Sequence, residues 1–276
     1  LCSSIRFPVG FPSLMPDIFI SPFNLFLIKD FISGYGISSY YDLIGDKMGR
    51  LTREQSALIQ DSFFDNKHLQ RYPARYVFVG FIAADGCIAH PYSGRKEQRR
   101  IVFNICKKDK CILDIFNKYL AKTSRPIHEQ KHTNSVMMTI PSNRLTESLS
   151  KFGIIPRKTK SLQLPNLPEP AMSYFLRGYY YGDGWIYGDR GRRRYGFCSN
   201  RVFINQLHDY LISNNIVKKA GVYNSKNSKY CAALEIQGSR TVRLSKYLFH
   251  DDKYILLPRK HIKTEPWSFQ GRMYGI

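Results

Sequence analysis

Two aspartates, Asp85 and Asp183, stand 98 positions apart, and each closes a run of apolar and aromatic residues: FVGFIAADG at 78–86 and FLRGYYYGDG at 175–184. A lysine follows each at a comparable distance, Lys158 at the end of FGIIPRK and Lys260 at the end of YILLPRK. Inside the runs, Gly80 and Ala84 are four residues apart, as are Gly178 and Gly182. On a helix such residues share a face, and small side chains there let a second helix backbone come very close. If the two helices pack on each other, Asp85 and Asp183 meet at one end of the pair. Each carboxylate then sits at a helix C-terminus, where the dipole favours positive charge, and each repels the other. A divalent cation between them removes the conflict, and oxygen ligands beside a phosphate suit magnesium. Asp-Gly on its own is an ordinary turn dipeptide; two copies, each ending a small-xxx-small helix, point to a site. A lysine beside a phosphate can stabilise developing charge and position an attacking water. Lys158 and Lys260 are the candidates, with Arg157, Arg259 and His261 as neighbours competing for the role.

The elements that must place these groups also come in pairs. Each half starts at a proline suited to a first helical turn, Pro73 or Pro170. The helix ends at Asp-Gly, where Gly86 or Gly184 can supply a left-handed cap. Strands CIAH and WIYG follow, then basic turns RKEQRR at 95–100 and RGRRR at 190–194, then strands IVFNIC and YGFCS. Amphipathic helices CILDIFNKYL and VFINQLHDYLI come next, and VMMTIP and AALEIQ are the clearest of the later strands. Helix, hairpin, helix, hairpin, helix thus occurs twice, the mark of a duplicated half. The expected organisation is an N-terminal extension at 1–70, one repeat at 71–167, and a second repeat with a C-terminal tail at 168–276. Within the extension, 52–64 has a helical period with Thr52 as N-cap.

The chain has 276 residues, and its 42 Lys and Arg against 21 Asp and Glu give a formal charge of +21. That excess opposes compactness and argues for a polyanionic partner, above all nucleic acid. No apolar run is long enough to span a bilayer, so a membrane is not expected as partner. The six cysteines form no CxxC pair and the seven histidines no ligand pattern, so neither zinc nor a disulfide framework is indicated; the cysteines are expected in the core. Both basic runs fall at the first hairpin of their half, and a two-stranded ribbon fits the major groove, where arginine grips guanine or phosphate. Candidate DNA contacts are Arg95, Lys96, Arg99, Arg100, Asn104 and Lys107 in the first half, and Arg190, Arg192, Arg193, Arg194 and Tyr195 in the second. A solvated turn is the bland alternative for either run alone.

FVGFIAADG and LRGYYYGDG resemble the two signature motifs of the LAGLIDADG homing endonucleases, and the spacing resembles the single-chain type with two repeats. The likeness covers residues 72–265. Ala83 and Tyr181 depart from it, standing where the family name has its first aspartate; the metal-binding eighth position is aspartate in both copies. The resemblance implies an α+β fold of two pseudo-symmetric αββαββα halves, with the motif helices as central interface and an antiparallel β-saddle over DNA. It implies two or three divalent ions, magnesium, shared at the helix interface and held by Asp85 and Asp183 with the backbone carbonyls of Ala84 and Gly182. It also implies a basic residue near the scissile phosphate in each half, here Lys158 and Lys260. The implied activity is cutting both strands of a double-stranded DNA target across the minor groove, leaving short 3′ overhangs.

The alternative is an intron maturase, with the host intron RNA as partner; a third reading is a non-catalytic DNA-binding regulator. The missing terminal His-Asn argues against an intein. Both halves lie in one chain, so a monomer is expected. The chain begins with Leu, with Met15 and Met48 as internal starts, which suits a reading frame continuous with an upstream exon and equally a non-AUG start or a trimmed chain. A mitochondrion or chloroplast, or a bacterial or phage cytoplasm, is the expected location.

Overall fold

The computed structural model describes residues 62–89, 99–120, 125–130, 133–187, 193–224, 230–251, 253–254 and 256–262. All belong to one compact unit, Arg53–Ile276. Most of the helix expected at 52–64 lies outside the described residues; its last three, Ser62, Phe63 and Phe64, form a buried turn.

A short helix α1 (Asn66–Arg71) and a 3-10 turn (Pro73–Arg75) lead into α2 (Tyr76–Asp85). There follow β1 (Gly86–Ala89), β2 (Arg100–Cys106), α3 (Cys111–Leu120), β3 (His128–Glu129), β4 (Ser135–Pro141) and α4 (Asn143–Ser150). The second half repeats the order with α5 (Ala171–Asp183), β5 (Gly184–Tyr187), β6 (Arg194–Asn200), α6 (Arg201–Ser213), β7 (Gly221–Asn224), β8 (Cys231–Gln237) and α7 (Arg240–Leu248); α8 (Pro258–Ile262) closes the described chain. Each half has one antiparallel four-stranded sheet, ordered β1-β2-β4-β3 and β5-β6-β8-β7. The halves are therefore both αββαββα, in matching registers: Gly86 faces Phe103 and Gly184 faces Phe197.

Alternation in the strands sorts the faces. Ile101, Phe103 and Ile105 of β2, Val136, Met138 and Ile140 of β4, and Ala232, Leu234 and Ile236 of β8 are buried. Their neighbours, Asn104 and Glu235 among them, point the other way, onto an open face of each sheet. The helices on the covered face present amphipathic stripes; in α6 these are Phe203, Ile204, Leu207 and Leu211, with Asn200 as N-cap accepting from the Phe203 N–H at 2.9 Å.

α2 and α5 differ from these helices. Every residue from Tyr76 to Ala83, and from Ala171 to Tyr181, is buried, as a central helix pair requires; the one charge among them, Arg177 of α5, is matched by Asp251 at 2.9 Å and by the carbonyls of Leu248 and Lys253. A methyl placed on Gly80 would lie 1.9 Å from the Phe175 carbonyl oxygen, and one on Gly178 would lie 1.9 Å from that of Val77. Gly80 and Gly178, and Val77 and Phe175, are each 98 positions apart, so the two clashes are images of each other. Backbone lies on backbone at the crossing, which only glycine permits.

The glycines after the aspartates do a different job from the left-handed capping expected. Gly86 has φ −79°, ψ 149° and Gly184 φ −86°, ψ 154°, both extended. The chain passes straight from helix to strand while folding against the helix's last turn. A methyl on Gly86 would lie 2.6 Å from the Ile82 side chain, and one on Gly184 would lie 2.1 Å from the Tyr180 ring. Close approach, not positive φ, selects glycine here.

Candidate active site

The crossing of α2 and α5 delivers both aspartates to one end of the seam. A methyl on Gly182 would meet the Ala84 methyl at 2.5 Å and an Asp85 carboxylate oxygen at 3.1 Å, so the tail of α5 rests on the tail of α2. Asp85 is reachable by solvent, yet protein packs round most of it. That enclosure, followed by the charge of Asp183, pushes its carboxyl up to about 6 against the pull of Lys260 and Lys158. Burial also raises Asp183, opposed by Lys158, Lys260 and a hydrogen bond from Tyr179.

Tyr179 is a partner that the motif did not reveal. One turn before Asp183, its hydroxyl donates to the Cys198 carbonyl oxygen at 3.0 Å and lies near enough to that carboxylate to lower its pKa. Phe81 holds the matching place in α2 and has no hydroxyl. Among the described residues nothing donates a hydrogen bond to Asp85, so the two acids are unequal.

Lys158 and Lys260 do come to the site, though not as free charges at its mouth. Both side chains are buried, and each grips the end of its own motif helix. Lys158 Nζ donates to the carbonyls of Gly86 at 2.5 Å and Ala84 at 3.3 Å. Lys260 Nζ lies 2.7–3.1 Å from four carbonyls, those of Tyr180, Tyr181, Gly182 and Gly184. The last carbonyls of a helix have no partner inside it, and an ammonium satisfies both them and the dipole. Burial, then the nearby Arg259, brings Lys260 down to about 8; burial also lowers Lys158. The other candidates are engaged elsewhere or exposed. Arg259 forms a two-pronged pair with Asp109 across the halves, both contacts at 2.6 Å. His261 is buried with Nδ1 3.5 Å from the Tyr181 hydroxyl. Arg157 is exposed, in a left-handed conformation at φ 59°.

Among the described residues no group of three or more His, Cys, Asp or Glu gathers to hold a metal. The candidate donors are two carboxylates and the carbonyls of Ala84 and Gly182, all oxygen; each of those carbonyls also accepts from a lysine, Ala84 from Lys158 and Gly182 from Lys260, so a cation would use its second lone pair. Such a set leaves most of a coordination sphere to water and phosphate, which fits the habits of magnesium and not those of zinc.

The basic candidates separate. Arg95, Lys96, Arg190 and Arg192 lie outside the described residues. Arg99 and Lys107 are exposed, Lys107 pairing with Glu129 at 2.8 Å. Asn104 is exposed on the open face of the first sheet, and Arg100, Arg193 and Arg194 are half-buried. Tyr195 is the correction. It is fully buried, 4.8 Å from the Tyr180 ring, because β6 alternates and its register opposite Ile236 turns it into the core. The expected core cysteines are likewise corrected where described: Cys87, Cys111 and Cys198 are exposed, Cys106 and Cys231 half-buried, and Cys2 lies outside the described residues. In the strands they occupy open-face positions, where the alternation was readable.

No family model matches the chain, and no curated protein matches it. Solved structures do. One is the LAGLIDADG meganuclease I-AabMI bound to uncleaved DNA, at TM-score 0.50 and 14% identity over 72% of this chain and 90% of that one. Another is the meganuclease I-SmaMI bound to uncleaveable DNA with a TTGT central four, at TM-score 0.50 and 13% identity over 70% of this chain and 87% of that one. With two αββαββα halves, two antiparallel four-stranded sheets and a glycine-sealed central helix pair, the chain has the fold of the LAGLIDADG meganucleases.

Proposed function

We propose that this protein is a site-specific endonuclease that hydrolyses both strands of double-stranded DNA with magnesium as cofactor. The observation that carries the proposal is the meeting of Asp85 and Asp183 at the end of the α2–α5 seam, raised in pKa and backed by two lysines. A charge of +21 and the two open sheet faces supply the surface for a polyanion. The solved structures of this fold named above hold DNA, which favours the nuclease over the maturase reading.

Asp85 and Asp183, with the Ala84 and Gly182 carbonyls, would hold the cations. Magnesium there supplies an activated water and a counter-charge for the phosphate. The chain's own groups set the geometry. Each carboxylate is fixed by the rigid end of a buried helix, one facing each DNA strand. Tyr179 orients Asp183 through its hydroxyl. Lys158 and Lys260 place positive charge behind the carbonyls and hold the helix ends, so their contribution to the developing phosphate charge is electrostatic and positional. The two pseudo-equivalent sites and a single chain fit a monomer that cuts both strands. A nuclease encoded within a mobile intron is the source we propose.

The test is cleavage of a plasmid library carrying randomised targets, with magnesium, with calcium and with chelator. Linear product at a defined sequence with magnesium, and binding without cutting in calcium, is the expected result. No cleavage of any sequence under any divalent cation refutes the proposal.

A further inference from the structure

The open face of the second sheet carries a carboxylate where the first sheet has none. β8 alternates, so Ala232, Leu234 and Ile236 enter the core and Glu235 faces outward. Glu235 is paired with Gly196 in the ladder; the matching pair in the first sheet is Thr139 with Val102. On a face meant for a polyanion, in a chain of charge +21, an acid needs a reason.

Its contacts supply one. Glu235 Oε1 accepts from Arg194 Nη1 at 3.0 Å and from the Gln237 amide, and Oε2 accepts from the Tyr187 hydroxyl at 3.4 Å. Its side chain is 11% exposed while that of Arg194 is 43% exposed, so the acid lies beneath the guanidinium. Arg194 is also 5.7 Å from the Tyr187 ring centroid. Tyr187 is braced in turn by Trp185, stacked at 5.0 Å and 20°. Trp185 lies flat across Gly196, where a methyl would be 2.0 Å from the indole. Arg194 is thus held from two sides, by Glu235 and by the Tyr187 ring. At the matching places the first sheet has Cys87, Ala89 and Arg100, without the aromatic brace.

We propose that Arg194, oriented by Glu235, reads a guanine in the DNA under the second sheet. The inference rests on the proposed nuclease reading. A phosphate contact would be weakened by a carboxylate under the guanidinium, since the pair presents almost no net charge. Base readout gains from the same carboxylate, because two N–H groups must meet guanine O6 and N7 in one plane, and a fixed fork loses less rotamer freedom on docking. Glu235 is a positioning residue: too deep to reach a base, it sets the plane of the arginine.

The experiment starts by selecting bound duplexes from a randomised pool with the full chain in calcium. Competition binding against every single-base-pair variant of the selected duplex follows, repeated at several salt concentrations. Wild type is expected to favour guanine at one position by about 5- to 150-fold. Arg194→Ala should erase that preference alone, with a slope of log affinity against log salt changed by much less than one. Glu235→Thr, which installs the first sheet's residue, should weaken the guanine preference while tightening binding to unrelated DNA. If Arg194→Ala weakens all sequences equally and lowers the slope by about one, Arg194 is a phosphate contact and the inference is overturned. An unchanged base profile in both variants overturns it too. A pool that yields no enriched duplex with wild type overturns the DNA reading itself, and this inference with it.

Discussion

The seam between α2 and α5 is closed by glycine backbone on glycine-facing backbone, and a single methyl tests it. In Gly80→Ala the new methyl would lie 1.9 Å from the Phe175 carbonyl oxygen, whereas real contacts of this kind stay above 3.0 Å. Neither partner can swing away, because both belong to helix backbones, so α2 and α5 must separate by at least 1.1 Å at the crossing. A radial gap of about 1 Å forfeits up to roughly half of each dispersion contact along the seam. With overpacking strain, the cost should reach about 3 kcal/mol, a fall in Tm of roughly 6–12 °C for a unit of this size. Gly178→Ala meets the mirror-image obstacle at Val77 and should cost a similar amount. The double variant should cost clearly less than the sum, since one methyl has already opened the gap that the other needs. Separation also moves Asp85 from Asp183, and a misplacement of about 1 Å can lower cleavage by about a hundredfold. Thermal and urea unfolding of the three variants measure this. A Gly80→Ala protein within about 1 °C of wild type would refute a seam closed around these glycines.

Lys260→Met strips the ammonium from four carbonyls and Lys158→Met from two, so the first should destabilise more, about 2–3 against about 1–2 kcal/mol, read by urea unfolding. The Asp85 carboxyl is raised to about 6, so its protonated form stabilises the fold; that stability is present below the ordinary carboxylate range and lost as pH rises through about 6. Asp85→Asn should therefore gain little at about pH 4.5 and about 1 kcal/mol above about pH 6.5 without metal, after allowance for solvent screening; a pH-independent difference in unfolding would contradict this. Cys87 and Cys198 are exposed on open sheet faces, so bound target DNA should slow their alkylation while Cys111, on α3, keeps its rate, as mass spectrometry of labelled peptides will read.

Much of this architecture is legible in the residues because duplication repeats each weak signal. One Asp-Gly is a turn; two, each closing an apolar run with glycine at the same step, locate a helix pair. The small residues four apart in each run, Gly80 with Ala84 and Gly178 with Gly182, made the close helix packing readable as well. Of the two strand residues expected at the DNA surface, Asn104 is exposed on the open face while Tyr195 is buried, because the basic run beside it carries no information on the register of β6. β3 offers only His128 and Glu129, too short and too polar for a pattern. The glycine caps were misjudged since Asp-Gly suggests positive φ equally with close approach, and only coordinates separate them. Sequence reasoning missed Tyr179 beside the acids, Glu235 on the second sheet and Asp109 as the partner that takes Arg259 away from them. Each works through a partner distant in sequence or on another strand, apart from Tyr179, whose place four residues before Asp183 was the one signal on offer.

The central claim is that Asp85 and Asp183 are the metal-holding carboxylates of a double-strand nuclease. Asparagine at either position keeps the shape and removes one charge, so the decisive measurement is strand-resolved cleavage of a selected target by Asp85→Asn and Asp183→Asn in magnesium, beside gel-shift affinity at equal salt. The account predicts that both variants bind at least as tightly as wild type, since a carboxylate facing phosphate has gone, and that double-strand cutting by each falls sharply. Wild-type rates of double-strand cutting in both variants would contradict it.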